Sequence, residues 1–404
     1  MNQESALAPN AQWVHEKSAE VRIKQINGHK DSVSSCQLIN NDQNIFTVSN
    51  DNTARIWNFN SGAELNTYKN LHEAIIPKAR VSHDNSNWDK TVKCWDMETG
   101  QVLWTNSHEH LVTSCSYTNE NDKYIVSASD VDHLVKLWDG RSGNLVMSIP
   151  NLHQSSITSC GFSPQNDRIV TTSMDKATKF FDITAKKITI SLGSHTGVIS
   201  NFAFTQDERK FVTCSWDRTL QVWDISTGMY RKNGPSTLSK AHEGSISSCV
   251  VSQDGLLCAS AGYDTKLVLW DLLHYVPKLI LRGHSNWLND VAITKDNKWL
   301  VSVGKDRQIR EWDITNCENI KLVIEQNKNF GNKLINCSTC NRPFTMAKLE
   351  KVGEFKLNCV FCRLQGRIFE AQLQSSSSSN LNYSRMRSSS LHNQSDSYVY
   401  PGQK

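Results

Sequence analysis

Short runs in which apolar and polar residues alternate recur along most of the chain, separated by turns rich in Asn, Asp, Gly and Ser. Representative runs are VSSCQLI, NIFTVS and TARIWN between Val33 and Asn58. Period-two alternation over five to seven residues predicts half-buried β-strands rather than helices. The strands come in a fixed phrase. A His opens it, twice after Gly, then come an apolar strand, a turn, a second strand, a turn containing Asp, and a third strand ending at Trp or Trp-Asp.

The spacing of that phrase is regular. His29 to Trp57, His195 to Trp223, His242 to Trp270 and His284 to Trp312 each span 28 positions, and His153 to Phe181 does the same with Phe in place of Trp. His108 to Trp138 spans 30, with extra residues in the turn around Ser129-Asp130-Val131, and His72 to Trp95 spans only 23. Asp51, Asp89, Asp132, Asp175, Asp217, Asp264 and Asp306 each stand six residues before the aromatic position. An internal repeat of this size marks units that bury their apolar faces only by stacking on one another.

These residues carry a resemblance to the WD-repeat family over about 20–316, in text such as GHKDSV…DNTARIWN, HTGVIS…WDRTLQVWD and GHSNWL…KDRQIREWD. The resemblance implies an all-β, seven-bladed β-propeller. It also implies that the His, Asp, hydroxyl and Trp of a repeat form a structural hydrogen-bonded set, His195, Asp217, Ser215 and Trp223 in one copy. The histidines are then neither metal ligands nor catalytic bases. Cys36, Cys115, Cys160 and Cys249 all lie seven residues after their His, where Phe202 and Val291 stand in other copies. That position reads as a buried strand site at which Cys is a small hydrophobe.

Ring closure needs one chain end to add a strand to the blade made by the other. The alternating segment Val21–Ile26 is the expected closing strand, with Asn319–Ile324 as its rival. Aligning His72–Trp95 with His195–Trp223 leaves Phe211–Ser215 without a counterpart, so the second blade is expected to be distorted and short of a strand.

Composition adds a second module. Cys337-Ser338-Thr339-Cys340 and Cys359-Val360-Phe361-Cys362 are separated by 18 residues, a spacing that suits a closed tetrahedral Zn²⁺ site with a structural role. No second ligand set that a RING finger needs is found. From Gln372 onward Ser and Asn dominate, with five consecutive serines at Ser375–Ser379, which reads as a disordered tail. The expected organisation is a flexible 1–18, a propeller over 19–316, a linker and zinc module over 317–371, and the tail over 372–404.

Charge and motifs exclude several function classes. The net charge of +4 is spread along the chain rather than gathered, so nucleic acid is not the expected partner. No apolar run is long enough to span a bilayer, and 1–17 lacks a signal-peptide pattern. With reduced cysteines, the expectation is an intracellular protein of cytoplasm or nucleus. No phosphate-binding Gly-Lys-Ser/Thr loop, Gly-x-Ser-x-Gly elbow or His-Glu-x-x-His helix occurs, and no enzymatic activity is expected.

Function is therefore sought in protein–protein contacts. In the family, partners often dock on the face built from the loop before the first strand and the turn between the second and third. Met174, Val198, Trp216, Tyr263 and Trp287 place large apolar side chains there, which predicts a partner-binding patch on a scaffold. An alternative is a substrate receptor of a cullin–RING ubiquitin ligase. Trp138-Asp139-Gly140-Arg141 resembles the Trp-Asp-x-Arg sequence with which such receptors engage their adaptor, and Arg141 is the candidate contact.

Overall fold

In five blades the repeated His and Trp converge on one buried hydroxyl, as the computed structural model shows. That structure describes residues 7–14, 21–69, 78–80, 84–86, 90–97, 99–118, 123–226, 231, 234–315, 333–336 and 343–346. Two compact units divide the chain, Met1–Val323 and Ile324–Lys404.

The His195 repeat shows how a blade is made. Strands Ile199–Phe204, Lys210–Ser215, Leu220–Asp224 and Ser236–Leu238 pair antiparallel in sequence order. His195 Nδ1 lies 2.9 Å from Asp217 Oδ2, and its Nε2 lies 2.9 Å from Thr213 Oγ1. Trp223 Nε1 donates to the same Thr213 oxygen at 3.1 Å. The carboxylate fixes the imidazole proton on Nδ1, so Nε2 accepts the hydroxyl proton and the hydroxyl oxygen accepts the indole N–H. Every polar atom in the set is thereby satisfied away from water.

The hydroxyl is Thr213, not the expected Ser215. Ser215 instead accepts the Asp217 backbone N–H at 3.1 Å and tightens the turn. Thr47, Ser260 and Ser302 play the Thr213 part for His29–Trp57, His242–Trp270 and His284–Trp312. In the His153 blade Thr171 receives the imidazole, and Phe181 stands where an indole would donate. Burial opposes ionisation of Asp175, but hydrogen bonds from His153 and the Gln154 N–H outweigh it and hold its carboxyl at about 2.

The His108 blade breaks the set. Ser127 Oγ still meets His108 Nε2 at 2.7 Å and Trp138 Nε1 at 2.8 Å. His108 Nδ1 and Asp132 Oδ2, however, are buried and have no hydrogen-bond partner among the described residues. The regular count back from Trp138 thus chose an aspartate that never reaches its histidine. Burial first, and Lys136 after it, push His108 down to about 3, so its imidazole is neutral.

Among the described residues, six sheets correspond to the His29, His108, His153, His195, His242 and His284 repeats. The expectation of seven blades, the second lacking a strand, is corrected in both respects. The shortened segment between the His29 and His108 blades forms a small irregular sheet with four strands, in the order Val102–Ser107, Thr91–Trp95, Asp84–Ser86, Lys78–Arg80. The five missing positions remove no strand; they leave the first two with three residues each. His72, Ile75, Trp88 and Asp89 lie outside the described residues.

Closure uses the N-terminal strand, as expected. Ile23–Asn27 pairs with Gln308–Asp313 of the His284 blade, and Ala11–Val14 adds a fifth, unforeseen strand outside it. The rival Asn319–Ile324 lies outside the described residues. Lys24 faces Glu311 across the pair, with 2.6 Å between Nζ and Oε2 and both side chains buried. Burial pushes the Glu311 carboxyl up to about 7 against the pull of Lys24. The same ammonium donates to the Phe59 and Asn60 carbonyls of the first blade, so one side chain joins the closing strand to both neighbours. Ala8 N–H and Asn10 Nδ2 reach the Ser61 and Gly62 carbonyls at 2.9 and 2.8 Å. Gly62 sits at φ +69°, and a Cβ there would lie 2.5 Å from Ala11 Cβ.

First strands touch their counterparts in adjacent blades around a common axis. Two rows of polar side chains stitch them together. Five residues after each His, Thr158, Ser200, Ser247 and Asn289 donate to the Ile199, Ile246, Leu288 and Val33 carbonyls of the next blade at 2.5–2.8 Å. One position further, Ser159 donates to Asn201 at 3.1 Å, Asn201 to Ser248 at 2.9 Å, and Ser248 to Asp290 at 2.6 Å. Ser35 of the first blade closes this row on Asp290 at 2.7 Å. Both rows run through the His153, His195, His242, His284 and His29 blades.

Cys36, Cys115, Cys160 and Cys249 form no disulfide and are buried, and Val291 is buried with them. In the second unit, Lys333–Asn336 and Pro343–Met346 pair antiparallel, Asn336 opposite Pro343. Cys337, Cys340, Cys359 and Cys362 and the serine-rich tail lie outside the described residues.

Asp217→Ala, which strips partners from His195, Thr196 and Thr219, should cost about 2–3 kcal/mol in equilibrium denaturation. Asp132→Ala should cost less than about 1 kcal/mol. Equal losses would contradict the broken set in the His108 blade.

Candidate partner-docking site

The loop after each His and the turn before each Asp are locked together by one backbone hydrogen bond. Met174, Trp216, Tyr263 and Lys305 donate their N–H to the Ser156, Val198, Ser245 and Trp287 carbonyls at 2.8–2.9 Å. Because the His–Asp pair clamps the same two loops, the side chain preceding each Asp is set at the axial mouth. Polar clamping beneath leaves large apolar groups facing outward.

Those groups surround a cavity of about 380 Å³ lined by the His108, His153, His195 and His242 blades. Met174, Trp216 and Tyr263 meet in its wall with Leu111. Trp216 and Met174 are 44% and 42% exposed, too open to be core. Trp287 does not line the cavity but extends the patch, its ring 5.1 Å from that of Tyr263 at an interplanar angle of 33°. Lys305 Nζ sits 4.7 Å from the Trp287 ring centroid. Val198 is half-buried and contributes its carbonyl, under Trp216, rather than a lining side chain. Burial pushes the Tyr263 hydroxyl above its ordinary range, so it remains protonated at neutral pH.

Asp130 was missed in the sequence. It stands 22 residues after His108, as each bridging Asp does after its His, yet its carboxylate lines the cavity instead. The longer turn explains this: Asp130 N–H takes the Leu111 carbonyl at 3.1 Å, one position later than in the other blades, and His133 adopts φ +51°. Counting forward from His108 would have flagged it. Thr113, Thr158, Ser200 and Ser247, five residues after each His, were also passed over, because a lone hydroxyl in a strand carries no signal without the repeat register.

Arg141 is exposed in the turn after Val135–Asp139. Hydrogen bonds from the Ser142 backbone and hydroxyl lower the Asp139 pKa, with Arg141 assisting. Nothing in the fold or in the chain's relatives supports an adaptor contact there. Among the described residues no cluster of three His, Cys, Asp or Glu side chains is placed to hold a metal, and none of their helices is long and apolar enough to cross a membrane.

The pattern of the WD domain, G-beta repeat, matches residues 20–58, 100–139, 144–182, 186–224, 235–271 and 275–313. The chain belongs to the WD-repeat family. Six repeats match, and three strands of the irregular sheet, Lys78–Arg80, Asp84–Ser86 and Thr91–Trp95, fall in the gap between the first two. Among curated proteins the chain is 31% identical to the small ribosomal subunit protein RACK1 of Drosophila melanogaster, over 60% of this chain and 76% of that one. It is 23% identical to the WD repeat-containing protein WDS homolog of Arabidopsis thaliana, over 70% of this chain and 56% of the relative. A serine-threonine kinase receptor-associated protein of Dictyostelium discoideum is 27% identical over 61% of this chain and 83% of its own length. The chain thus spans little more than half of some WD-repeat relatives and most of others.

Trp216→Ala and Trp287→Ala should each change unfolding free energy by less than about 1 kcal/mol, whereas buried Trp270→Ala should cost about 3–5 kcal/mol. Denaturation curves for the three variants check that the mouth tryptophans are not structural.

Proposed function

We propose that this chain is a non-catalytic scaffold whose propeller binds other proteins at the axial mouth, through Met174, Val198, Trp216, Tyr263 and Trp287. The carrying observation is the set of exposed aromatic and thioether side chains around one cavity on a hydrogen-bonded ring. Aromatic anchors beside a pocket are the usual makings of a binding hot spot. Two relatives bear names that tie them to other macromolecules, a ribosomal subunit and a kinase receptor, and this supports the scaffold reading. Buried cysteines outside any disulfide suit a reducing, intracellular compartment.

The same proposal includes a structural Zn²⁺ held by Cys337, Cys340, Cys359 and Cys362 in the second unit. Two Cys-x-x-Cys pairs support it, and so does the pairing of Asn336 with Pro343, residues that stand before Cys337 and after Cys340 in the sequence. With four thiolate ligands no coordination position is left for a reactive water.

Affinity capture by the wild-type chain and by the triple variant Trp216→Ala, Tyr263→Ala, Trp287→Ala tests the docking face. Specific partners should fall about tenfold or more; undiminished capture would refute the site. Purified protein should carry about one equivalent of zinc, and Cys359→Ser with Cys362→Ser should remove it. Metal-free wild type would refute the zinc reading.

A further inference from the structure

The mouth cavity is apolar at its wall and presents acceptors at its floor. Four floor hydroxyls already spend their protons on backbone carbonyls: Thr113 on Ala128 at 3.3 Å, Thr158 on Ile199 at 2.5 Å, Ser200 on Ile246 at 2.7 Å and Ser247 on Leu288 at 2.8 Å. What remains on these oxygens for a guest is lone pairs. Among the residues lining the cavity, Asp130 is the one carboxylate, and no Lys, Arg or His stands with it. One of its oxygens accepts the Val131 N–H at 2.7 Å, and a carboxylate has further acceptor capacity.

Three kinds of guest can be compared on these terms. An acidic group would find donors in the Trp216 indole and the Tyr263 and Ser156 hydroxyls, but it would also meet the Asp130 carboxylate and four hydroxyls whose protons are already spent. A purely apolar group would bury those acceptors and the Asp130 charge without partners, which is costly. A basic side chain would rest its methylene stem on Met174 and Leu111, bring its charge beside Trp216 and Tyr263, and donate to Asp130 and the floor. The chain shows the same chemistry beside the cavity, where the Lys305 ammonium sits over Trp287.

We propose that the mouth cavity receives a cationic side chain, arginine or lysine, presented by the partner polypeptide. This rests on the docking reading above and names the chemistry that the site selects. Asp130 is the selecting residue, freed for that use because the longer turn of the His108 blade withdraws it from the histidine.

Peptide pools randomised at all positions but one, that one fixed as Arg, Lys, citrulline, Leu or Glu, test this on the immobilised full-length chain. The Arg and Lys pools should be retained about tenfold over the citrulline and Glu pools. Asp130→Asn, which keeps an acceptor for Val131, should erase most of that advantage without lowering the melting temperature. Retention led by Leu or Glu, retention of no pool, or a preference unchanged in Asp130→Asn would overturn the proposal. A Leu-led result ends only the cationic reading, since loss of the docking reading would appear separately as undiminished capture by the triple mouth variant.

Discussion

In each regular blade, a hydroxyl on the second strand stands between an imidazole and, in most copies, an indole. It gives its one proton to the histidine and takes one from the tryptophan, so the blade's loops and its third strand share a single buried atom. The arrangement works only with the imidazole in one tautomer, which the turn aspartate enforces. Position and protonation are thus set together, and the outward face inherits its geometry from a pattern that never touches a partner.

The ring is not uniform. Polar rows unite five consecutive blades, while the His108 blade has lost its His–Asp bond and the sheet before it has two strands of three residues. The His153 blade lacks its indole donor. These departures sit side by side, on one arc, opposite the closing strand with its Lys24–Glu311 pair. The docking cavity straddles the boundary between the two arcs, drawing its aromatic wall from the well-bonded side and its carboxylate from the altered side.

Most of the fold was legible because its signals are redundant. Period-two alternation, His-to-Trp spacing and turn aspartates all report the same strands, and Ile23–Asn27 betrayed its role by alternation before the first repeat. What failed was local and had physical causes. Ser215 and Thr213 are both hydroxyls on one strand, and only the imidazole's reach decides between them. Asp132 kept the regular distance from Trp138, but an inserted turn is free to place its extra residues on either side, and backbone pairing put them after Asp130. The strand count of the irregular sheet went astray because a deletion can be shared by two strands instead of erasing one. At the site, Met174, Trp216 and Tyr263 were visible as large side chains at loop positions, whereas Asp130 and the floor hydroxyls depend on how the turn and register resolve.

The N-terminal closing strand imposes an order on biosynthesis. Ile23–Asn27 leaves the ribosome long before its partner Gln308–Asp313, which is translated nearly three hundred codons later. Throughout that interval an alternating, β-prone segment has an unpaired edge and must be kept from premature association. Joining the two ends is a contact of very high sequence separation, the slow kind in folding kinetics. Blades can condense one after another during elongation, but the torus acquires its full cooperativity only in a final, late event.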